Sequence, residues 1–218
     1  MDRSRLEAFS DGVFAVAITL LALNLAVAGL GHGSLLHQLG GDWSKFVAYL
    51  ISFFMIGIVW VNHHVLVRGI AVVDRTLLFL NLVLLLFVVM IPFATATVAV
   101  YLASHSPHTH RDTQVAMMLY GAVFLGMSAG FAGIFEWTLH GERMYQRLPA
   151  DKHWAARARF AGGGLVYLVA IVVGNFYAIA AFVIIALVAV YYIVERTADA
   201  YQAPGGDASA GPGAPDGS

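Results

Sequence analysis

Long apolar runs alternate along the chain with short polar breaks. The first polar cluster, Arg5, Glu7, Ser10 and Asp11, opens onto a run from Gly12 to Val27. Within it only Thr19 and Asn24 carry a hydrogen-bonding side chain. A helix needs ~20 apolar residues at 1.5 Å each to cross a bilayer, and runs near that length recur. Six spans are predicted: Leu6–Ala28, Trp43–Leu66, Thr76–Leu102, Thr113–Leu139, Trp154–Val173 and Phe176–Val194. The first break, Gly29–Asp42, is glycine-rich with a short amphipathic centre; Ser104–Asp112 is a polar loop and His140–Lys152 a charged connector. Gly174-Asn175 is the turn that folds the last two spans into an antiparallel hairpin. Pro92 removes one backbone hydrogen bond inside the third span and predicts a kink there. Gly126-x-x-x-Gly130, with Gly121 and Gly133, predicts close helix packing around the fourth span. Residues 199–218, rich in Gly, Pro and Ala, predict a disordered cytoplasmic tail after a six-helix transmembrane domain over 1–198.

Composition points the same way. Of the 218 residues 60% are hydrophobic and 11% charged, with a mean hydropathy of +0.77. Soluble domains carry about 25% charged residues, so this chain could not cover its own surface in water. The expected class is an all-α polytopic membrane protein. A net charge of −1 argues against nucleic acid as a partner. With no cysteine there is no disulfide, thiolate nucleophile or cysteine metal site; no cofactor and no metal are expected. Ten Lys and Arg fall on one side of the predicted topology and two, Lys45 and Arg111, on the other. That bias predicts cytoplasmic termini in the cell membrane.

The polar residues narrow the function. Asp11 is costly in hydrocarbon and needs a partner, either Arg5 or a group on another helix. His63 and His64 point about 100° apart on a helix, so they cannot ligate one ion without help. A hydrogen-bonding role is expected instead, with Trp60 and His63 close to Arg5, Ser10 and Asp11 at one depth. His105, His108 and His110 are expected to be solvated, and Glu136 to lie near the cytoplasmic interface. Asn24 and Thr19 suit helix–helix contacts. No G-x-S-x-G, H-E-x-x-H or phosphate loop is present, which argues against an enzyme. A secondary transporter or a structural membrane protein remains an alternative. The short chain shows no repeated halves, and its midplane reads as nearly devoid of polar groups. Such a midplane favours a structural role or a pore lined by apolar side chains, which can gate by dewetting.

The stretch Arg5-x-x-x-Phe9-Ser10-Asp11, followed by Gly12 to Leu21, resembles the first-helix signature of the transmembrane protein 175 family. Trp60, His63, His64, Asp74, Asn81 and Pro92-Phe93 extend the likeness more loosely. These are potassium-permeable channels without a glycine-rich carbonyl filter, and the prokaryotic members have one six-helix unit. The resemblance implies a prokaryotic homotetramer in the lipid bilayer, passing potassium ions along its symmetry axis, with the first helix lining the pore. Its narrowest ring then falls on Val16, with Leu20 and Leu23 as outer layers and Thr19 behind the ring. All three apolar positions lie on the stripe Phe9, Val13, Val16, Leu20, Leu23, Val27. The family commonly has isoleucine or leucine where this chain has Val16, which implies a slightly wider constriction.

Overall fold

The computed structural model describes residues 2–25, 34–41, 43–103, 109–140, 150–177 and 179–188. All its long elements are helices. They are α1 (Arg3–Ala22, extended by a 3-10 turn at Leu23–Leu25), α2 (Leu35–Gly41) and α3 (Trp43–Arg68). Then come α4 (Arg75–Ala103), α5 (Thr109–Leu139), α6 (Ala150–Gly174) and α7 (Ile179–Val188). Two aspartates start helices. Asp2 accepts from the Ser4 backbone N–H at the head of α1, and Asp74 Oδ1 accepts from the Leu77 N–H at 2.8 Å, capping α4.

The expectation of six transmembrane helices per subunit is corrected. Among the described residues, four helices are long and apolar enough to cross a membrane: Arg3–Leu25, Trp43–Arg68, Arg75–Leu102 and His110–Leu139. Among the described residues, the stretches read as spans five and six hold shorter apolar helices, Gly162–Gly174 and Ile179–Val188. Lys152, Arg157 and Arg159 lie in the first half of α6, ahead of its apolar part. The tail at 199–218 lies outside the described residues.

The bundle is built on α4 and α5. Glycine makes the approach possible: a Cβ at Gly130 would lie 3.0 Å from the Leu84 Cα, and one at Gly133 would lie 3.3 Å from Leu80 Cδ2. Gly126 receives the Phe87 ring in the same seam, so the glycine spacing does what it predicts. α6 runs antiparallel along α5. At one end Gln114 Nε2 donates to the Asn175 carbonyl at 2.7 Å; at the other Arg157 grips Glu136 with Nε at 2.9 Å and NH2 at 2.5 Å. Ala181 of α7 packs against Gly174, which closes the hairpin as a turn.

α1 lies against α3 and α4 through Leu6, Ser10, Phe14, Ala17 and Leu21. It is the most thinly covered of the long helices: 28% of its apolar stretch is buried inside the chain, against 50% for α5. α2 exposes Leu35 and Leu36.

Candidate functional site

The two faces of α1 differ in burial. The buried face is the row Leu6–Ser10–Phe14–Ala17–Leu21. The other face carries the positions assigned by resemblance to a pore. Val16 is 54% exposed, Leu20 37% and Leu23 72%. Phe9 is exposed beside them, while Val13, from the same predicted stripe, is half-buried against the core. Thr19 is exposed too, and its hydroxyl donates to the Val16 carbonyl at 2.9 Å.

Side-chain size sets part of this face apart from the exposed face of α4. Along α1 the exposed positions include Ala8, Gly12, Ala15, Thr19 and Ala22, and a Cβ at Gly12 would meet nothing within 4 Å. Along α4 the exposed positions are bulky: Phe79, Leu82, Val83, Leu86, Val89 and Phe93. Small residues let helices approach one another in lipid; a surface that only meets acyl chains has no need of them.

The N-terminal half of α1 is held by two polar chains. In the first, Trp60 Nε1 of α3 donates to Asp11 Oδ1 at 2.8 Å, and the Trp60 ring stacks on His64 with centroids 5.9 Å apart. The second is fully buried, and its direction follows from its last acceptor. Ser10 Oγ donates to the Leu6 carbonyl at 2.9 Å, so Ser10 can accept the Asn81 Nδ2 hydrogen at 3.0 Å. That leaves Asn81 Oδ1 as acceptor, and His63 Nε2 must carry the proton it donates across 2.7 Å. Phe14 and Phe131 pack their rings on His63 at 5.4 and 6.5 Å between centroids. His63 is therefore a proton donor to a neutral amide within an aromatic wall. Among the described residues no group of three or more His, Asp or Glu could hold a metal ion.

Of the predicted anchor residues, Ser10, Asp11, Trp60 and His63 come together. Arg5 does not join them: it is exposed, and its side chain makes no hydrogen bond or ion pair among the described residues. Phe9 belongs to the outer face instead. Asp11 is thus partnered from another helix rather than by Arg5. Arg3, not singled out beforehand, reaches the end of α3, where NH1 donates to the Arg68 carbonyl at 3.1 Å. Asn81, named above only for the family likeness, is the central connector. Its signal was present, because a lone amide in an apolar helix must find partners.

A second buried polar chain corrects the reading of an almost non-polar midplane. Thr95 Oγ1 donates to the Ile91 carbonyl at 2.7 Å. Ser52 lies 2.7 Å from Thr95 and 2.9 Å from the Tyr120 hydroxyl. With Thr95 committed to a carbonyl, the order of donation is Tyr120 to Ser52 to Thr95 to Ile91. The chain joins α3, α4 and α5. Glu136, expected near the cytoplasmic interface, is an ion-pair partner of Arg157.

Residues 5–92 match the family described as endosomal/lysosomal potassium channel TMEM175. A potassium channel of Streptomyces collinus is 43% identical over 169 residues, spanning 76% of this chain and 79% of that one. A potassium channel of Chamaesiphon minutus is 34% identical over 174 residues, 78% of this chain and 82% of that one. In three dimensions the chain resembles the crystal structure of a lysosomal potassium-selective channel TMEM175 homolog from Chamaesiphon minutus. The TM-score is 0.76 at 30% identity, over 88% of this chain and 97% of that one. On its sequence and its fold together, the chain belongs to the TMEM175 family.

Proposed function

We propose that the chain is a potassium channel that passes K+ passively across the cell membrane of a prokaryote, with both termini cytoplasmic. Several copies, four by the family resemblance, gather their α1 helices around a symmetry axis. The exposed face of α1 lines the path. Val16 forms the tightest ring, Leu20 and Leu23 form layers further out, and Thr19 backs the ring. The observation that carries this is the uncovered, small-residue face of α1 on the helix that bears the family signature.

An apolar ring acts on an ion through hydration. A bare charge in a low-dielectric surround costs tens of kcal/mol, so an ion passes only with its water or with a replacement for it. Val16 side chains offer no replacement. A narrow ring therefore empties of water and blocks flux, and a slightly wider one passes the more weakly hydrated K+ ahead of Na+. Asp11 is drawn to Trp60 of the same chain and so positions α1 rather than coordinating the ion.

Purified protein in liposomes with an outward K+ gradient tests this. Flux should appear without ATP and without a proton or sodium gradient. Flux that demands a coupling ion would make the chain a transporter instead.

A further inference from the structure

The proline in α4 sits where two otherwise separate parts of the bundle meet. α4 runs on through Pro92 as helix. Pro92 nevertheless has no N–H to give the Val88 carbonyl, so the backbone ladder is one bond short at this point. The carbonyls of Ile91, Pro92 and Phe93 each accept a hydrogen bond from a side chain. The Ile91 carbonyl takes the Thr95 hydroxyl at 2.7 Å, and the Phe93 carbonyl takes the Thr97 hydroxyl at 2.9 Å. The Pro92 carbonyl, between them, takes Asn24 Nδ2 at 3.4 Å. Hydroxyls that bond back four residues loosen and bend a helix, and a missing N–H does the same.

The three donors come from different places. Thr97 is on α4 itself. Thr95 is the end of the buried Tyr120–Ser52–Thr95 chain, so the Ile91 carbonyl is fixed to α3 and α5. Asn24 belongs to the 3-10 turn that ends α1, next to Leu23. The backbone at 91–92 is thus tied on one side to the rigid centre of the bundle and on the other to the outer end of α1.

We infer that Asn24 is a positioning residue for the outer layer of the conduction path. Through the Pro92 carbonyl it sets how far Leu23 stands from the axis. The inference rests on the proposal that α1 lines the path. The 3-10 turn at Leu23–Leu25 is what the tether acts on. This turn has left the α-helical ladder and makes no other side-chain hydrogen bond among the described residues. A change of backbone shape at Pro92 therefore reaches Leu23 through a single amide.

The absence of native cysteine makes the test direct. Leu23→Cys, reconstituted in liposomes, is exposed to a water-soluble methanethiosulfonate reagent, and both the labelling rate and the K+ flux are followed. Labelling should reduce flux. Adding Asn24→Leu, which keeps the shape and loses the donor, should shift the labelling rate by roughly fivefold, the population change one hydrogen bond supports. Asn24→Gln, which keeps an amide, should restore much of it. An unchanged rate in Asn24→Leu overturns the inference. If Asn24→Leu yields no folded protein, Pro92→Ala completes the backbone ladder from the other side; an unchanged rate there overturns it equally. Labelling that leaves flux intact refutes the lining role of α1 instead, a result separate from any effect of Asn24 on the rate.

Discussion

Replacing Asn81 by leucine keeps the volume of the side chain and removes both bonds it makes. His63 loses the acceptor of its Nε2–H, and Ser10 loses the hydrogen it accepts. The two losses are unequal. Ser10 still donates to the Leu6 carbonyl, so it forfeits a net bond of about 1 kcal/mol. His63 is 1% exposed and cannot turn to water, so a stranded N–H there costs about 1–3 kcal/mol. The sum is about 2–4 kcal/mol, from which the apolar gain of leucine takes back about 1 kcal/mol. Removing the second partner as well should recover stability. In His63→Phe/Asn81→Leu no buried N–H is left over, so the double variant should be more stable than Asn81→Leu alone. Hydrogen bonds between membrane helices average about 0.6 kcal/mol in double-mutant cycles, because freed groups find other partners. The sealed position of His63 should lift this coupling to about 1–2 kcal/mol. The assay is a double-mutant cycle on detergent-solubilised protein, read as unfolding free energy in a denaturing-detergent titration. Additive effects, with the double variant the least stable, would refute the assignment of His63 as the buried donor.

Val16→Asn should wet the narrowest ring, raising conductance and eroding the preference for K+ over Na+, while Val13→Asn, on the half-buried side, should lower folded yield instead; single-channel recordings and yields separate the two. Gly130→Ala should destabilise the fold, since its Cβ would press on the Leu84 backbone at 3.0 Å, and thermal melts would show it. Gly12→Val meets nothing within 4 Å in its own chain, so a change in oligomer size on a sizing column would arise between copies. Asp11→Asn keeps an oxygen for the Trp60 indole, and Asp11→Leu does not; expression and assembly should fall further for leucine. The Arg157–Glu136 pair is exposed and should weaken with salt. Glu136 holds the Arg157 guanidinium above its ordinary value, so Arg157 stays charged at every usable pH. Acid, which neutralises carboxylates, should therefore loosen α6, so its amide protection factors, corrected for the base catalysis of exchange itself, should fall there and not in alkali.

Much of this was legible because bilayers restrict what a chain can do. The glycines of the fourth span announced the α4–α5 seam, and the lone carboxylate Asp11 announced a partner. The number of spans was not legible from apolar letters alone. Trp154 to Val173 reads as one span, yet Arg157 and Arg159 sit on the same helix ahead of the apolar stretch Gly162–Gly174. Which face of α1 is buried was also hidden, since both faces are apolar and the choice depends on α3 and α4. Ser52, Thr95 and Tyr120 look like scattered single hydroxyls in the sequence. They become a chain only because three helices bring residues 43 and 68 positions apart within hydrogen-bond reach.

The polar contacts of α1 also set a schedule for making the protein. This helix leaves the ribosome before α3 and α4, yet its Ser10 bonds Asn81, 71 residues later, and its Asp11 bonds Trp60, 49 residues later. At about 5–20 residues per second, Ser10 waits roughly 4–14 s for its partner. During that interval the buried face of α1 has nothing to rest on. Asp11 is tolerable meanwhile only because it lies near the start of the helix, where its carboxylate can reach the interfacial water. Moved two turns deeper, the same aspartate would have to cross hydrocarbon before the tryptophan that neutralises its cost had been synthesised.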